Sequence, residues 1–225
     1  MTVGNRIFAS TWRQAPELIE KFRNLPVANI SDSMGRIAAA GSTLRPFHDG
    51  TYLCGQAVTV KARPGDNLFV HKAISMARPG DVIVVDAGGD LTNSIIGEFM
   101  VAHAKKKGAA GFVIDGAIRD AGTIRAGGYP VFAAGITHRG PYKDGPGEIN
   151  VDVCVGGQCV SPGDIIVGDE DGVLAIRLAD AGEVLAAAQA KHAAEQATWA
   201  KLRDGLEDRS WIDTKLAQLG TKFID

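Results

Sequence analysis

A glutamate at position 98 and the pair Arg119-Asp120 are the residues of this chain best suited to do chemistry, and twenty residues separate them. The surrounding stretch, VVDAGGDLTNSIIGEFMVAHAKKKGAAGFVIDGAIRD, offers a strand, a Gly-rich crossing, a helix start and a second strand that ends in Arg-Asp. Gly88 and Gly89 let the backbone turn tightly and let a ligand approach with no Cβ in the way. A helix start around Gly97, Glu98, Phe99 and Met100 presents free N–H groups at the positive end of a dipole, which makes a seat for a carboxylate. One out-and-back excursion through helix and strand returns Arg119 and Asp120 to the sheet edge that Glu98 left. Asp120 suits a hard divalent ion, which is satisfied by one or two carboxylates together with water and substrate oxygens. Arg119 offers a planar cation to a carboxylate or enolate oxygen. The same residues admit a plainer reading, in which Arg119-Asp120 is a surface turn and Glu98 a charge placed to suit the helix dipole.

The elements that must position these residues are punctuated by glycine, of which the chain has 28. GQAVTVKA, GDVIVVDAGG, GAAGFVIDG, GGYPVFAAG and GDIIVGDEDG are short Val- and Ile-rich runs bounded by Gly, Pro or Asp, and they read as strands, several buried on both faces. Helices are expected over Asn67 to Met76, ended by Pro79-Gly80, and over Ser94 to Lys107, closed by Gly108 with three lysines in the last turn. Residues 81–134 then run strand, helix, strand, turn, strand, the start of a layered α/β arrangement. From Ala179 to Arg203 the chain turns rich in Ala, Glu, Gln, Lys and Leu, which predicts a long helix after the sheet. It packs along the domain or reaches onto a neighbouring subunit.

The bulk numbers exclude several classes. At 225 residues the chain fits one domain, and its 45% apolar and 22% charged residues are a globular balance. A formal charge of −2 leaves no basic footprint for a nucleic acid. No run is long enough to span a bilayer, and MTVGNRIFASTWRQAP lacks the start of a signal peptide, so a cytoplasmic protein is expected. Cys54, Cys154 and Cys159 show no C-x-x-C spacing and read as small reduced core residues.

Other candidates carry two readings each. Asn67 and His71 stand four apart on one helix face and line a pocket, or else are a capping Asn and a half-buried His. Ser31 and Asp32 in VANISDSMGR face a neighbouring site or form an N-cap. His138, Arg139 and Lys143 in ITHRGPYKDGPGEIN grip a distal carboxylate, or belong to a solvated loop. GDEDG at 168–172 lacks EF-hand spacing and reads as a hairpin turn.

Gly97-Glu98 followed by Arg119-Asp120, flanked by VVDAGG and VIDGAIRDAGTI, resembles a known family. Its members include 4-hydroxy-4-methyl-2-oxoglutarate (4-carboxy-4-hydroxy-2-oxoadipate) aldolase and the RraA-type regulators of ribonuclease activity. The likeness runs from VANISDSMGR to GDEDGVLAI. It implies a layered β core with flanking helices, of the swivelling β/β/α type, in a single domain over 1–225 with 178–225 a C-terminal helical extension. It also implies homotrimers or homohexamers with sites between subunits.

For the site, the resemblance implies that Asp120 holds Mg²⁺ or Mn²⁺, Arg119 contacts the C2 oxygen of a small 2-oxo acid, and Glu98 works through a water. Backbone amides near Phe99 and Met100 would take the pyruvyl carboxylate, and Glu195 on the C-terminal helix would enter a neighbour's site. The activity implied is metal-dependent cleavage of 4-hydroxy-2-oxo acids to pyruvate, with oxaloacetate decarboxylation through the same enolate. Two positions depart from the pattern: Thr123 stands where many members have an acidic residue, and Glu98 where aldolases carry Asp. A non-catalytic RraA-type regulator is the first rival. The second, a methyltransferase, is disfavoured because the chain has no Gly-rich strand-to-helix turn with a following acidic residue for a nucleoside cofactor.

Overall fold

The longest strand of the protein, Leu53–Ala62, is buried at every position but Lys61, as its run of Val and Ala demands of a strand covered on both faces. A computed structural model describes residues 2–12, 15–23, 25–37, 40–222 and 224. In chain order the elements are β1 (Asn5–Ile7), α1 (Pro16–Phe22), α2 (Val27–Ser33), β2 (Arg45–Pro46), β3 (Leu53–Ala62), α3 (Leu68–Met76), β4 (Asp81–Asp86) and β5 (Ser94–Ile96). There follow α4 (Glu98–Lys107), β6 (Gly111–Ile118), α5 (Ala121–Ala126), β7 (Val131–Ile136), β8 (Gly147–Ile149), β9 (Val153–Val155), β10 (Gln158–Val160), β11 (Ile165–Asp169), β12 (Gly172–Ile176), α6 (Ala181–Arg203) and α7 (Trp211–Gln218).

The sheet runs β1-β8-β3-β4-β6-β7-β2, with β11 and β12 joined to it through β3 and with β5 paired to the end of β6. Strands β3, β4, β6 and β7 are mutually parallel. Helices α3, α4 and α5 make the crossovers between them, as parallel pairing requires. These three helices cover one face over a core that includes Val60, Val70, Ile83, Val85, Phe112 and Ile114. On the other face, the β9–β10 hairpin packs over Val82, Val84 and Val113. A third cluster joins α1, α2 and the first turns of α6 to β11 and β12 through Phe22, Ile30, Leu174 and Leu185. The expected α/β layering, with a β core, flanking helices and a long C-terminal helix, is what the protein has. No helix among the described residues is long and apolar enough to cross a membrane.

Several local expectations are corrected. Ser94–Ile96 is a strand and the helix begins only at Glu98, because this β-branched segment finds a free ladder beside Ala117 and Ile118. The turn between β6 and β7 contains the short helix α5. Ser31 and Asp32 sit within α2 rather than at its N-cap, which is Pro26. Asn67 is the N-cap position of α3, but its side chain makes no capping bond, and His71 is exposed. Of the cysteines only Cys54 is buried, while Cys154 and Cys159 are exposed. The GDEDG segment does form the hairpin turn between β11 and β12.

Glycine at 55 is required by close approach rather than by backbone conformation. A Cβ there would collide with the Gly80 carbonyl and stand 2.9 Å from Val82 Cγ2, neither of which can yield inside a packed sheet. Gly55→Ala is therefore expected to destabilise the protein by at least about 2 kcal/mol, read as a lowered midpoint in thermal or urea unfolding. An unchanged midpoint would show that the β3–β4 register has slack the structure does not suggest.

Candidate active site

Strand β5 is what brings the separated residues together. Its pairing with the end of β6 is sealed by a backbone bond of 3.0 Å from Arg119 N–H to the Ile96 carbonyl. The first turn of α4 thereby lies beside the residues that follow β6. Asp120 adopts the left-handed conformation, φ 56 and ψ 31, which short polar side chains tolerate better than most. That turn aims its carboxylate back at the helix start, where Oδ2 accepts the Glu98 N–H at 3.0 Å. Gly97 itself has no side chain to cap α4, so Asp120 supplies from another segment the acceptor that an N-cap residue normally supplies. The closeness of the two segments explains the glycine: a Cβ on Gly97 would collide with Asp120 Oδ2 and stand 3.1 Å from Arg119 Nε.

These groups border a cleft of about 190 Å³ at the carboxyl ends of the parallel strands, where open α/β sheets place their ligands. Its lining includes Gly97, Phe99, Met100, Arg119 and Asp120 from the central motif, Asn67 and His71 from the α3 segment, and Pro141 and Lys143 from the 137–145 loop. Asn67, His71, Gly97, Phe99, Met100, Arg119, Asp120 and Lys143, all candidates from the sequence, thus share one cleft. Glu98 lies at its edge, half-buried, its carboxylate without a partner among the described residues. Among the first amides of α4, Glu98 N–H is taken by Asp120 and Met100 N–H by the Gly97 carbonyl at 3.1 Å. Phe99 N–H has no partner among the described residues, so it is the amide left to receive an anion, beneath a ring that is 73% exposed. Asn67 donates to the Ile95 carbonyl at 2.8 Å, and its Oδ1 is buried with no partner among the described residues. Although the His71 side chain reaches solvent, partial desolvation of its ring, then the nearby Lys143 and His103, hold its imidazolium below the usual range.

Glu195 is placed elsewhere. On α6 it accepts a 2.8 Å bond from Asn29 of α2 and lies 3.8 Å from Lys191. Lys191 also pairs with Asp32 at 2.9 Å. Lys191, then Arg36, hold the Asp32 carboxyl below its ordinary range. Asp32 and Glu195 therefore belong to one α2–α6 cluster, and neither they nor Ser31 line the Asp120 cleft of their own chain. Of the loop candidates, Lys143 reaches the cleft, whereas His138 and Arg139 are exposed and do not line it.

Sequence reasoning did not single out the residues that fasten this loop. Ser94 N–H and Oγ both bond the Arg139 carbonyl, and Asn93 bonds the Gly140 carbonyl. Asp66, almost fully buried, accepts Asp144 N–H at 2.7 Å and Gly145 N–H at 2.9 Å on Oδ2 while Oδ1 accepts Leu68 N–H. The Gly-Asp-Asn turn before an apolar helical run was its only sequence signal.

In oxygen donors the site offers Asp120, with Glu98 nearby, and Asp120 Oδ1 has no partner among the described residues. No group of three or more His, Cys, Asp or Glu gathers around any point among the described residues. This donor set fits an ion of the Mg²⁺ kind, which keeps most of its waters, better than a zinc centre built from three protein ligands.

A layered α/β chain with this motif at its strand ends belongs to the RraA-like family, Aldolase/RraA, which matches residues 27–175. A relative from Halalkalibacterium halodurans, 42% identical over 84% of this chain and 90% of its own length, bears the name "Putative 4-hydroxy-4-methyl-2-oxoglutarate aldolase". An uncharacterized protein from Pseudomonas syringae superposes with a TM-score of 0.78 at 25% identity, over 86% of this chain and 96% of that one. The RNA-processing inhibitor RraA from Thermus thermophilis gives 0.61 at 30% identity, over 67% and 91%.

Asp66→Asn should loosen the loop that carries Lys143, since an amide oxygen replaces two carboxylate acceptors and an N–H₂ faces backbone donors. Hydrogen exchange at Asp144 and Gly145 is expected to quicken roughly tenfold or more, about 1–2 kcal/mol of lost protection. Unaltered protection would mean the loop is held without Asp66.

Proposed function

We propose that the protein is a divalent-metal-dependent lyase that cleaves 4-hydroxy-2-oxo dicarboxylic or tricarboxylic acids, of the 4-hydroxy-4-methyl-2-oxoglutarate or 4-carboxy-4-hydroxy-2-oxoadipate type, to pyruvate, and that also decarboxylates oxaloacetate. The observation that carries this reading is the meeting of a Phe99 amide unpaired among the described residues with Arg119 and Asp120 at one cleft. An anion seat, a planar cation and a metal-binding carboxylate are the three things a 2-oxo acid needs for stabilisation of its enolate.

On this reading the Phe99 amide and the α4 dipole take the substrate carboxylate, and the Arg119 guanidinium donates to the C2 oxygen. Asp120 would hold Mg²⁺ or Mn²⁺, which when bound supplies Lewis-acid polarisation of the 2-oxo group. Glu98, through a water, accepts the proton of the C4 hydroxyl, assisted by a neighbouring subunit's Glu195. The C3–C4 bond then breaks, leaving an oxo product and the pyruvate enolate, whose charge faces Arg119. A proton delivered to C3 completes pyruvate. Asn67 Oδ1, buried and unpaired, is an acceptor for a substrate hydroxyl, and Lys143 offers a cation to the distal carboxylate. Oxaloacetate uses the same enolate stabilisers but needs no base at C4. The likeness to the Thermus thermophilis inhibitor favours a second reading, a non-catalytic regulator of ribonuclease activity. A pyruvate-release assay over a panel of 4-hydroxy-2-oxo acids and oxaloacetate, with Mg²⁺ and with a chelator, separates the two, because a regulator releases no pyruvate in either arm.

Asp120→Ala should abolish metal-dependent turnover, a loss of at least about a hundredfold, while circular dichroism stays that of the wild type; retained activity would remove the metal role. Arg119→Lys should lose a comparable factor, since a point charge cannot reproduce the planar fork. Activity within a few-fold of wild type would count against Arg119 as enolate stabiliser. For Glu195, chains carrying Asp120→Ala and chains carrying Glu195→Ala are each expected to be inactive, and reassembled mixed oligomers should recover part of the activity. Mixed oligomers that form yet stay inactive would sink the shared site.

A further inference from the structure

Two of the three cysteines, five positions apart in sequence, are brought face to face. Strands β9 and β10 form an antiparallel hairpin in which Cys154 and Cys159 are register partners. The connecting residues are Gly156 and Gly157, at φ +55 and +86, the paired left-handed residues of a two-residue hairpin turn. Val155 and Gln158 flank that turn as the hydrogen-bonded pair, which makes the next pair, Cys154 and Cys159, the non-hydrogen-bonded one. Such pairs have Cα atoms about 4.5 Å apart with side chains close together, inside the roughly 4.4–6.8 Å that a disulfide spans. An independent contact agrees: Cys154 N–H points away from β10 and donates to Asp86 Oδ2 at 3.1 Å. Alternation sets the direction of the side chains. Val153, Val155 and Val160 are buried under the sheet, while Cys154 and Cys159 are exposed on the opposite face of the hairpin.

The hairpin is also held still. Gly156 N–H bonds Asp115 at 3.3 Å, Gly41 N–H bonds the Gly156 carbonyl, and Gln158 makes two bonds to the Ala175 backbone. Two thiols fixed at this spacing lose little freedom on joining. Cys54 is the internal contrast: it is buried, its Sγ donates to the Ile19 carbonyl, and burial pushes its thiol up to about 12, which leaves it inert.

We propose that Cys154 and Cys159 form a dithiol site that exchanges with low-molecular-weight disulfides and closes a reversible disulfide across the hairpin. The thiolate of one cysteine attacks a sulfur of the small disulfide, forming a mixed disulfide and releasing one small thiolate. The second cysteine's thiolate then attacks the protein sulfur of that mixed disulfide and expels the other half. Two protein thiols are oxidised by two electrons, the small disulfide is reduced to two thiols, and the two protons pass to the released thiolates. A small dithiol reverses the sequence.

The test is to treat the full-length protein with oxidised glutathione, alkylate it under denaturing conditions and weigh it. Alkylatable cysteines are expected to fall from the three present to Cys54 alone, with a mass loss of two hydrogens, no retained glutathione, and full recovery with dithiothreitol. Cys154→Ser should instead keep one glutathione on Cys159, because the second step has lost its nucleophile, and Cys54→Ser should behave as the wild type. Stable glutathione on both cysteines of the wild type, a link between chains, or no reaction at all would overturn the proposal.

Discussion

A single backbone hydrogen bond, Arg119 N–H to the Ile96 carbonyl, is the constraint on which the candidate site depends. It closes the ladder between β5 and β6, and it decides that the first turn of α4 lies beside the chain leaving β6. With the bond from Glu98 N–H to Asp120, it makes neighbours of Gly97-Glu98 and Arg119-Asp120. Strand β5 has only three residues, so its hold comes from complete burial of Ser94, Ile95 and Ile96 and from the loop that Ser94 ties down at Arg139. The charged side chains of Arg119 and Asp120 are exposed, and the strand that spaces them is not. That division is the usual one for groups that must meet a ligand while keeping their geometry.

Electrostatics within the cleft follow from the same frame. Arg119 and Asp120 are neighbours whose charged atoms lie 3.7 Å apart with both side chains well exposed, and an exposed pair of this kind contributes little to stability. Its value lies in placement. Asp120 spends Oδ2 on the Glu98 amide and leaves Oδ1 without a partner among the described residues, while Arg119 lines the cleft beside it. Adding a side chain at Gly97 would break this economy of space, because both residues already touch the volume a Cβ would fill. With Asp120 on the Glu98 amide and Met100 bonded within its own turn, the Phe99 amide of the first turn of α4 is left without a partner among the described residues. A helix start with all its amides open would bind anions loosely and in several poses.

Much of this was legible in the residues themselves. The Val-rich runs bounded by glycine are strands β3, β4, β6, β7 and β11, and Gly108 with three lysines before it closes α4 as their chemistry dictates. The spacing of Glu98 and Arg119-Asp120 already implied a return to one sheet edge. What the sequence hid were effects of distance. Ser94–Ile96 has the composition to enter either a helix or a strand, and only the free edge of β6 decides for the strand. Asp66 and Asn93 look like turn residues until the loop they fasten is in place. The cysteines looked apolar because free cysteine is usually buried, yet alternation along a three-residue strand sends Cys154 outward as surely as it sends Val153 inward.

The C-terminal helix shows where a single chain stops explaining itself. In α6 the buried residues are Ala181, Val184, Leu185 and Ala188, all in its first half, where they pack on α1 and α2. Beyond them the helix runs on with Trp199 and Leu202 exposed, and α7 has no buried residue at all while exposing Trp211. A helix is stabilised in water chiefly by burial of one face rather than by propensity, and this half of α6 buries none of its own. Glu195 stands on this second half, anchored to Asn29 and close to Asp32 and Lys191, so its carboxylate is ordered without lining the cleft of its own chain. On the shared-site reading, a second copy docked along this half of α6 would cover Trp199 and Leu202 and give the ordered Glu195 carboxylate a site.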